Sequence, residues 1–141
     1  MPTMDIARKL DTVVTADPDT SIRDIAKKMS EKAVGSVVIH RNEEPVGIVT
    51  DRDIALKVVG GDKDPAAVTA SEVMTNDPVT IDANAGVAEL CEKMREGSVR
   101  RMPVTENGKL VGIVTLDDLV VLLDSEMNDL SEIIKAESPP Y

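Results

Sequence analysis

Aromatic residues are almost missing from this 141-residue chain: it has no Phe, no Trp and a single Tyr, at the last position. Its core must therefore be aliphatic, and a nucleobase or other flat ligand cannot be stacked between aromatic rings. Cysteine is equally scarce. One thiol, Cys91, excludes an intrachain disulfide framework and points to the reducing cytoplasm. The one histidine, His40, has no Cys beside it and no clustered carboxylates, so it does not read as a zinc ligand. A lone histidine also leaves no base to spare for a Ser or Cys nucleophile, and no catalytic activity is expected. Positive charge is in deficit, with 16 Lys and Arg against 26 Asp and Glu and a net charge of −10. A surface that binds phosphate backbones is normally basic, so nucleic acid is not an expected partner. No apolar run approaches the roughly 18 residues of a membrane span. Residues 1–10 lack the apolar stretch and small-residue cleavage site of a signal peptide. The glycines match neither a P-loop nor a dinucleotide-binding fingerprint.

What the chain has is a repeat. Gly-Ile-Val-Thr stands at Gly47–Thr50 and again at Gly112–Thr115, each time with an Asp three residues after the Thr. Without a gap between Val14 and Ala55, the same shift sets Val14 on Val79, Thr15 on Thr80, Asp17 on Asp82, Met29 on Met94, Asn42 on Asn107 and Asp53 on Asp118. A fixed internal period sets the architecture before any local reading. Either half alone would bury too little surface to be more than marginally stable, so two halves packed together are expected.

Periodicities define the elements. Ile22, Ile25, Ala26 and Met29, and in the second copy Val87, Leu90, Cys91 and Met94, keep the spacing of an amphipathic helix, which places Cys91 in the core with Ala26. Ser21 is the expected N-cap of the first helix. Two apolar runs around Asn42–Pro45, and two more around Glu106–Lys109, read as hairpins; Asn107-Gly108 is a strong turn signal. A short strand is expected before each helix, at residues 12–15 and 78–81. Each repeat then runs strand, helix, strand, strand, helix, the last helix starting after Thr50 or Thr115. The fold class is α/β of the α+β type, and the nearly all-apolar strands imply sheets covered on both faces. Gly60-Gly61-Asp62-Lys63-Asp64-Pro65 is a linker, followed by a capping-box pattern at Thr69–Glu72; Thr3 and Asp5 open a similar short helix. The boundary falls near Asp64, giving domains 1–64 and 65–141, the second with a C-terminal helical extension. In that extension Leu119, Leu123, Met127, Leu130 and Ile134 keep three-or-four spacing, a stripe that covers its own sheet or meets a second subunit. Ser138-Pro139-Pro140 ends it as a frayed tail.

A tandem repeat of this length, each copy closing in Gly-Ile-Val-Thr-x-x-Asp, resembles a pair of cystathionine-beta-synthase (CBS) domains. Gly35–Ile39, Arg100–Val104 and the Glu72-Val73-Met74-Thr75 phrase before the second copy support the resemblance. The first copy has no obvious counterpart of that phrase. The resemblance implies two domains packed through their sheets about a pseudo-twofold axis, homodimerisation, and two clefts in which adenine nucleotides bind. It implies a stand-alone regulatory module for an adenosine-containing ligand (AMP, ADP, ATP, NAD or S-adenosylmethionine), with no required cofactor and a protein target that the sequence does not identify. The rival reading is a structural or interaction module with empty clefts.

The residues of the repeated phrase suit a nucleotide. A strand glycine allows close approach to the backbone, and Thr50 and Thr115 can reach ribose or phosphate. Asp53 and Asp118 can accept from ribose hydroxyls. The adenine would lie between Val14, Ile39, Val79 and Ile113. The same Thr-x-x-Asp pattern is also a helix cap, and the two roles are compatible. In an acidic protein a phosphate needs local cations. Arg100 and Arg101 are the candidates, replacing Gly35 and Ser36 of the first copy, and Arg52 stands where the second copy has Asp117. Which arginine serves which cleft stays open at this level.

Overall fold

The structure, a computed structural model, describes residues 1–137; the expected tail at 138–140 lies outside the described residues. In chain order the elements are β1 (Arg8–Lys9), β2 (Thr15–Ala16), α1 (Ile22–Lys32), β3 (Ser36–Arg41), β4 (Glu44–Thr50), α2 (Asp51–Asp53), α3 (Ala70–Val73), β5 (Thr75–Asn76), β6 (Ile81–Asp82), α4 (Val87–Gly97), β7 (Arg101–Glu106), β8 (Lys109–Thr115) and α5 (Leu116–Glu137). Single 3-10 turns lie at Thr3–Asp5 and Leu10–Thr12, and α2 runs on as a π-helical stretch, Ile54–Val59. The expected strands before the helices form later and shorter than residues 12–15 and 78–81, and in the first repeat Leu10–Thr12 is taken up by the 3-10 turn.

Local chemistry starts and stops each element. The Ser21 hydroxyl accepts from the Asp24 N–H at 3.2 Å and opens α1. That helix buries Ile22, Ile25 and Met29, each worth roughly 1.5–3 kcal/mol. It ends where Ala33 turns left-handed (φ 53°), as α4 ends at Ser98 (φ 50°). The repeat extends to side-chain bonds: Lys28 Nζ donates to the Thr15 carbonyl at 2.9 Å, and Lys93 Nζ to the Thr80 carbonyl at 3.0 Å. Ala26 and Cys91 do not share the buried stripe. Both are exposed, which corrects the expected core role of Cys91. The three positions at 22, 25 and 29 already span the contact with the sheet, and position 26 falls at the edge of that stripe.

Both hairpins turn through two residues of positive φ, Asn42-Glu43 (52° and 69°) and Asn107-Gly108 (53° and 79°), the geometry that matches strand twist. A register shift follows at equivalent places, Ile39/His40 and Val104/Thr105.

The sheets show an exchange between repeats. One has the order β2-β3-β4-β5, the other β1-β8-β7-β6. Strand β5, which leads into the second repeat, thus completes the first sheet, and β1 from the start of the chain completes the second. Packing follows the strands. Val68, Ala70, Val73 and Met74 join the core of Ile22, Ile25, Val37, Ile39 and Val49. Met4, Ile6 and Ala7 join that of Ile81, Leu90, Met102, Val104 and Val114. The Thr3 hydroxyl anchors the crossing segment on the Ala85 carbonyl at 2.7 Å. Each folded core thus takes in a segment that leads into the other repeat along the chain or starts the chain.

The exchange also explains the strand glycines. A side chain at Gly47 would collide with Met74, and one at Gly112 with the backbone oxygen of Arg8. The close approach that these glycines permit is that of the crossing segment, not of a ligand as the sequence suggested. The remaining face of each sheet meets the other sheet: Val38, Leu110 and Ile113 form a third cluster with Val13. The two halves are also tied where the Leu110 N–H reaches the Glu43 carbonyl at 2.8 Å.

Candidate functional site

Each strand that ends in Gly-Ile-Val-Thr runs out beside the other repeat, and two clefts result. The first, about 250 Å³, is lined by Val13, Val14, Val34, Gly35, Ser36 and Val38 of the first repeat with Arg8, Arg100, Arg101, Ile113, Thr115 and Asp117. The second, about 640 Å³, is lined by Pro78, Val79, Val99, Arg100 and Arg101 with Ile48, Thr50, Asp51, Arg52, Thr75 and Asp77. The linings are equivalent under the repeat: Val14 with Val79, Val34 with Val99, Ser36 with Arg101, Ile113 with Ile48, Thr115 with Thr50, Asp117 with Arg52. Each cleft thus combines the lead-in and helix end of one repeat with the strand end of the other.

Eight of the eleven expected site residues line a cleft. Val14, Ile113 and Thr115 line the first cleft, Thr50, Arg52 and Val79 the second, and Arg100 and Arg101 both. Of the arginines left open by the sequence, Arg52 lines the second cleft, together with Thr50 of its own repeat, while Arg100 and Arg101 border both.

Asp53 and Asp118 stand behind the threonines. In α2 the cap is reciprocal: Asp53 N–H donates to Thr50 Oγ1 at 3.1 Å, and Thr50 N–H donates to Asp53 Oδ2 at 3.0 Å. Lys57 Nζ lies 3.4 Å from Asp53 Oδ1. Asp118 N–H likewise donates to Thr115 Oγ1 at 3.1 Å, but its carboxylate is taken by Arg8 Nε and Nη2 at 3.3 and 3.4 Å. Asp53 therefore closes a cap with its carboxylate, whereas at α5 only Thr115 caps and the Asp118 carboxylate pairs with Arg8.

Ile39 is the correction. It is fully buried among the helix-facing residues of the first core and lines neither cleft. Side chains alternate along a strand, so the neighbouring Val38 faces the cleft and the intersheet cluster.

Sequence reasoning also missed Arg8, and the reason is a change of period. Opposite Ile48 in the first sheet stands Thr75; opposite the equivalent Ile113 in the second stands Arg8. Their separation is 67 positions rather than 65, because the 3-10 turn at Leu10–Thr12 inserts two residues just before the gap-free match begins at Val14. The lead-in phrase of the first copy is thus Asp5-Ile6-Ala7-Arg8, the counterpart of Glu72-Val73-Met74-Thr75.

The arginines are held by protein acceptors. Arg100 Nη2 pairs with Asp117 Oδ1 at 3.2 Å, and Arg101 Nη1 donates to the Gly35 carbonyl at 3.3 Å. The clefts thus carry local positive charge in an acidic chain, walled by aliphatic side chains and edged by threonine hydroxyls. Such a lining can bind an anion joined to an apolar group. Among the described residues no group of three His, Cys, Asp or Glu is placed to hold a metal ion, and no helix is long and apolar enough to cross a membrane.

Known proteins are similar to this chain in sequence and in fold. An uncharacterised protein of Methanopyrus kandleri is 37% identical over 137 residues, covering 91% of this chain and 69% of its own. The crystal structure of Hypoxic Response Protein I with two coordinated zinc ions is similar at 33% identity and a TM-score of 0.76, over 85% of this chain and 97% of that one. The CBS domain pair of protein MJ0100, in complex with 5-methylthioadenosine and S-adenosyl-L-methionine, is 28% identical with a TM-score of 0.78, over 89% and 98% of the two chains. The CBS domain model matches residues 5–60 and again 70–125, so the chain belongs to the CBS domain family, as a tandem pair.

Proposed function

We propose that the protein is a cytoplasmic regulatory module that binds an adenosine-containing nucleotide in the clefts between its two CBS domains and reports it to a partner protein, without catalysis. The observation that carries this reading is the second cleft. At about 640 Å³ it has the size of a small-molecule site, an aliphatic wall from Ile48, Pro78, Val79 and Val99, and Arg52, Arg100 and Arg101 at its edge. The wall suits a base that no aromatic ring can stack, Thr50 suits ribose or phosphate, and the arginines suit phosphate. The similar MJ0100 pair, bound to two adenosine compounds, supports the adenosine part. The arginines favour AMP, ADP, ATP or NAD over S-adenosylmethionine, whose sulfonium they would repel. Calorimetric titration with these five ligands tests the reading. Saturable binding of at least one phosphate-bearing ligand is expected, and binding of none would leave the rival, a structural module with empty clefts.

The same reading includes a homodimer through α5. Leu119 packs in the second core, but Val120, Leu123, Met127, Leu130 and Ile134 are each more than half exposed. Their alternating spacing of three and four is that of a coiled-coil seam, which a second identical helix completes. From Asp124 to Ala136 every side chain except Ser131 is exposed, and a projecting helix of that length is marginal in water unless packed. Light scattering at tens of micromolar is expected to give the mass of two chains, and of one chain for Leu123→Glu/Leu130→Glu. A monomeric wild type would refute the dimer, and a dimeric double variant would refute the α5 seam.

A further inference from the structure

We propose that Arg8 makes the first cleft a site for a chain of two or more phosphates, while the second cleft takes the less charged ligand. This rests on reading the clefts as ligand sites and goes on to what each one selects. Three guanidinium groups meet at the first cleft. Arg8 lines it where the equivalent place in the second cleft holds Thr75. Arg100 and Arg101 border both clefts, yet their acceptors, Asp117 and the Gly35 carbonyl, line only the first. The second cleft keeps Arg52 as its own cation, with Asp51 and Asp77 beside it. Three arginines against Asp117 alone form the more positive lining.

The present partners of these arginines are replaceable. The bonds of Arg8, Arg100 and Arg101 measure 3.2–3.4 Å, at the long end of the hydrogen-bond range. The side chains of the Arg8–Asp118 pair are 57% and 23% exposed, and those of the Arg100–Asp117 pair 71% and 82%. Such exposed pairs contribute little. A phosphate chain offers each guanidinium a doubly bonded, charge-assisted partner and displaces the two carboxylates. The volume of about 250 Å³ is short of the roughly 300–1,000 Å³ typical of a whole-ligand site and fits the phosphate chain rather than an entire nucleotide. The shared chemistry is a polyphosphate, carried on a nucleoside or free.

Titration of the full-length chain with ATP, AMP and inorganic tripolyphosphate, on wild type, Arg8→Thr and Arg8→Lys, decides it. Arg8→Thr installs the residue that Thr75 supplies to the other cleft and leaves the backbone pairing of β1 in place; Arg8→Gln serves if the melting curve of Arg8→Thr shows a lost fold. Arg8→Thr is expected to weaken ATP and tripolyphosphate by about tenfold, the scale of one strong charge-assisted contact, with AMP changed less than about twofold and Arg8→Lys recovering most of the loss. Tripolyphosphate binding that depends on Arg8, with no nucleotide bound, would uphold this proposal and overturn the nucleotide reading. ATP binding that ignores Arg8 would overturn this proposal alone; failure of both ATP and tripolyphosphate to bind would also overturn this proposal, and the nucleotide reading with it only if AMP, ADP, NAD and S-adenosylmethionine fail to bind as well.

Discussion

The two repeats align without a gap from Val14 to Ala55, and their largest differences in architecture lie where the chain enters and leaves them. The first is led in by Asp5-Ile6-Ala7-Arg8 and its last helix stops at Gly60; the second is led in by Glu72-Val73-Met74-Thr75 and its last helix runs to Glu137. Because the lead-in segments cross between the sheets, a difference at the edge of one repeat becomes a difference in the opposite core and in the shared clefts. The frame of the two repeats is thus symmetric, and Arg8 against Thr75 in the crossing segments, with Asp117 against Arg52, makes the two clefts unequal.

The strand glycines should break the symmetry most. Gly112→Ala drives a methyl group into the backbone of β1, which can yield only by separating from β8, whereas Gly47→Ala meets the flexible side chain of Met74. Overpacking costs roughly 1–3 kcal/mol, and Gly112→Ala is expected near the top of that range and Gly47→Ala near the bottom. Urea unfolding of the two variants measures the difference; equal losses would mean that β1 yields as easily as a methionine side chain.

The shared arginines come next. Arg100→Ala/Arg101→Ala should cost ATP or AMP binding about 1.5–3 kcal/mol, the range for hydrogen bonds to charged groups, with little loss for adenosine. Arg52→Ala should act on the second cleft alone. Calorimetry with ATP, AMP and adenosine separates these effects, and salt should narrow the preference for phosphate as exposed charges are screened. Equal losses for adenosine and AMP would assign the arginines to cleft shape.

A smaller contrast separates the two caps. Asp53 closes a reciprocal capping box and also meets Lys57, while Asp118 gives its carboxylate to the exposed Arg8. Asp53→Ala should therefore destabilise by about 1 kcal/mol and Asp118→Ala by less. If Asp118 nonetheless leaves Arg8 to hold ribose, Asp118→Ala will reduce nucleotide affinity with little change in melting temperature.

The smallest effect concerns the bond between hairpin turns. Lys109 Nζ lies 2.8 Å from Glu43 Oε2; hydrogen bonding to Lys109 holds the Glu43 carboxyl below its ordinary 4.5, and Glu43 holds Lys109 above 10.5. A lowered carboxyl pKa stabilises the fold above 4.5 and loses that contribution as pH falls through the folded value. The raised lysine contributes below 10.5 and loses its share as pH rises through its own. The melting temperatures of wild type and Lys109→Met should differ slightly at neutral pH and converge on acidification. A gap that persists at acid pH would assign the effect to packing of the lysine stem.

By itself the sequence determined the elements and their duplication. Ser21 as a cap, the Ile22-Ile25-Ala26-Met29 stripe, the Asn107-Gly108 turn and the double Gly-Ile-Val-Thr are local signals, carried by backbone preferences and by the spacing of apolar side chains, and each appears where it was expected except for Ala26, which is exposed. Thr50, Thr115, Arg100 and Arg101 were legible at the clefts for the same reason, since they flank short strands whose pairing is set by a two-residue turn. What only the tertiary structure decided depends on contacts between distant segments. Whether Val38 or Ile39 faces the cleft is a matter of strand phase, and an all-apolar run carries no alternation from which to read it. That β1 and β5 cross to the opposite sheets, so that Gly47 and Gly112 make room for chain rather than ligand, follows from pairings about 30 and 105 positions apart. Arg8 lay outside the period by two residues, and only its place opposite Ile113 revealed it as the counterpart of Thr75.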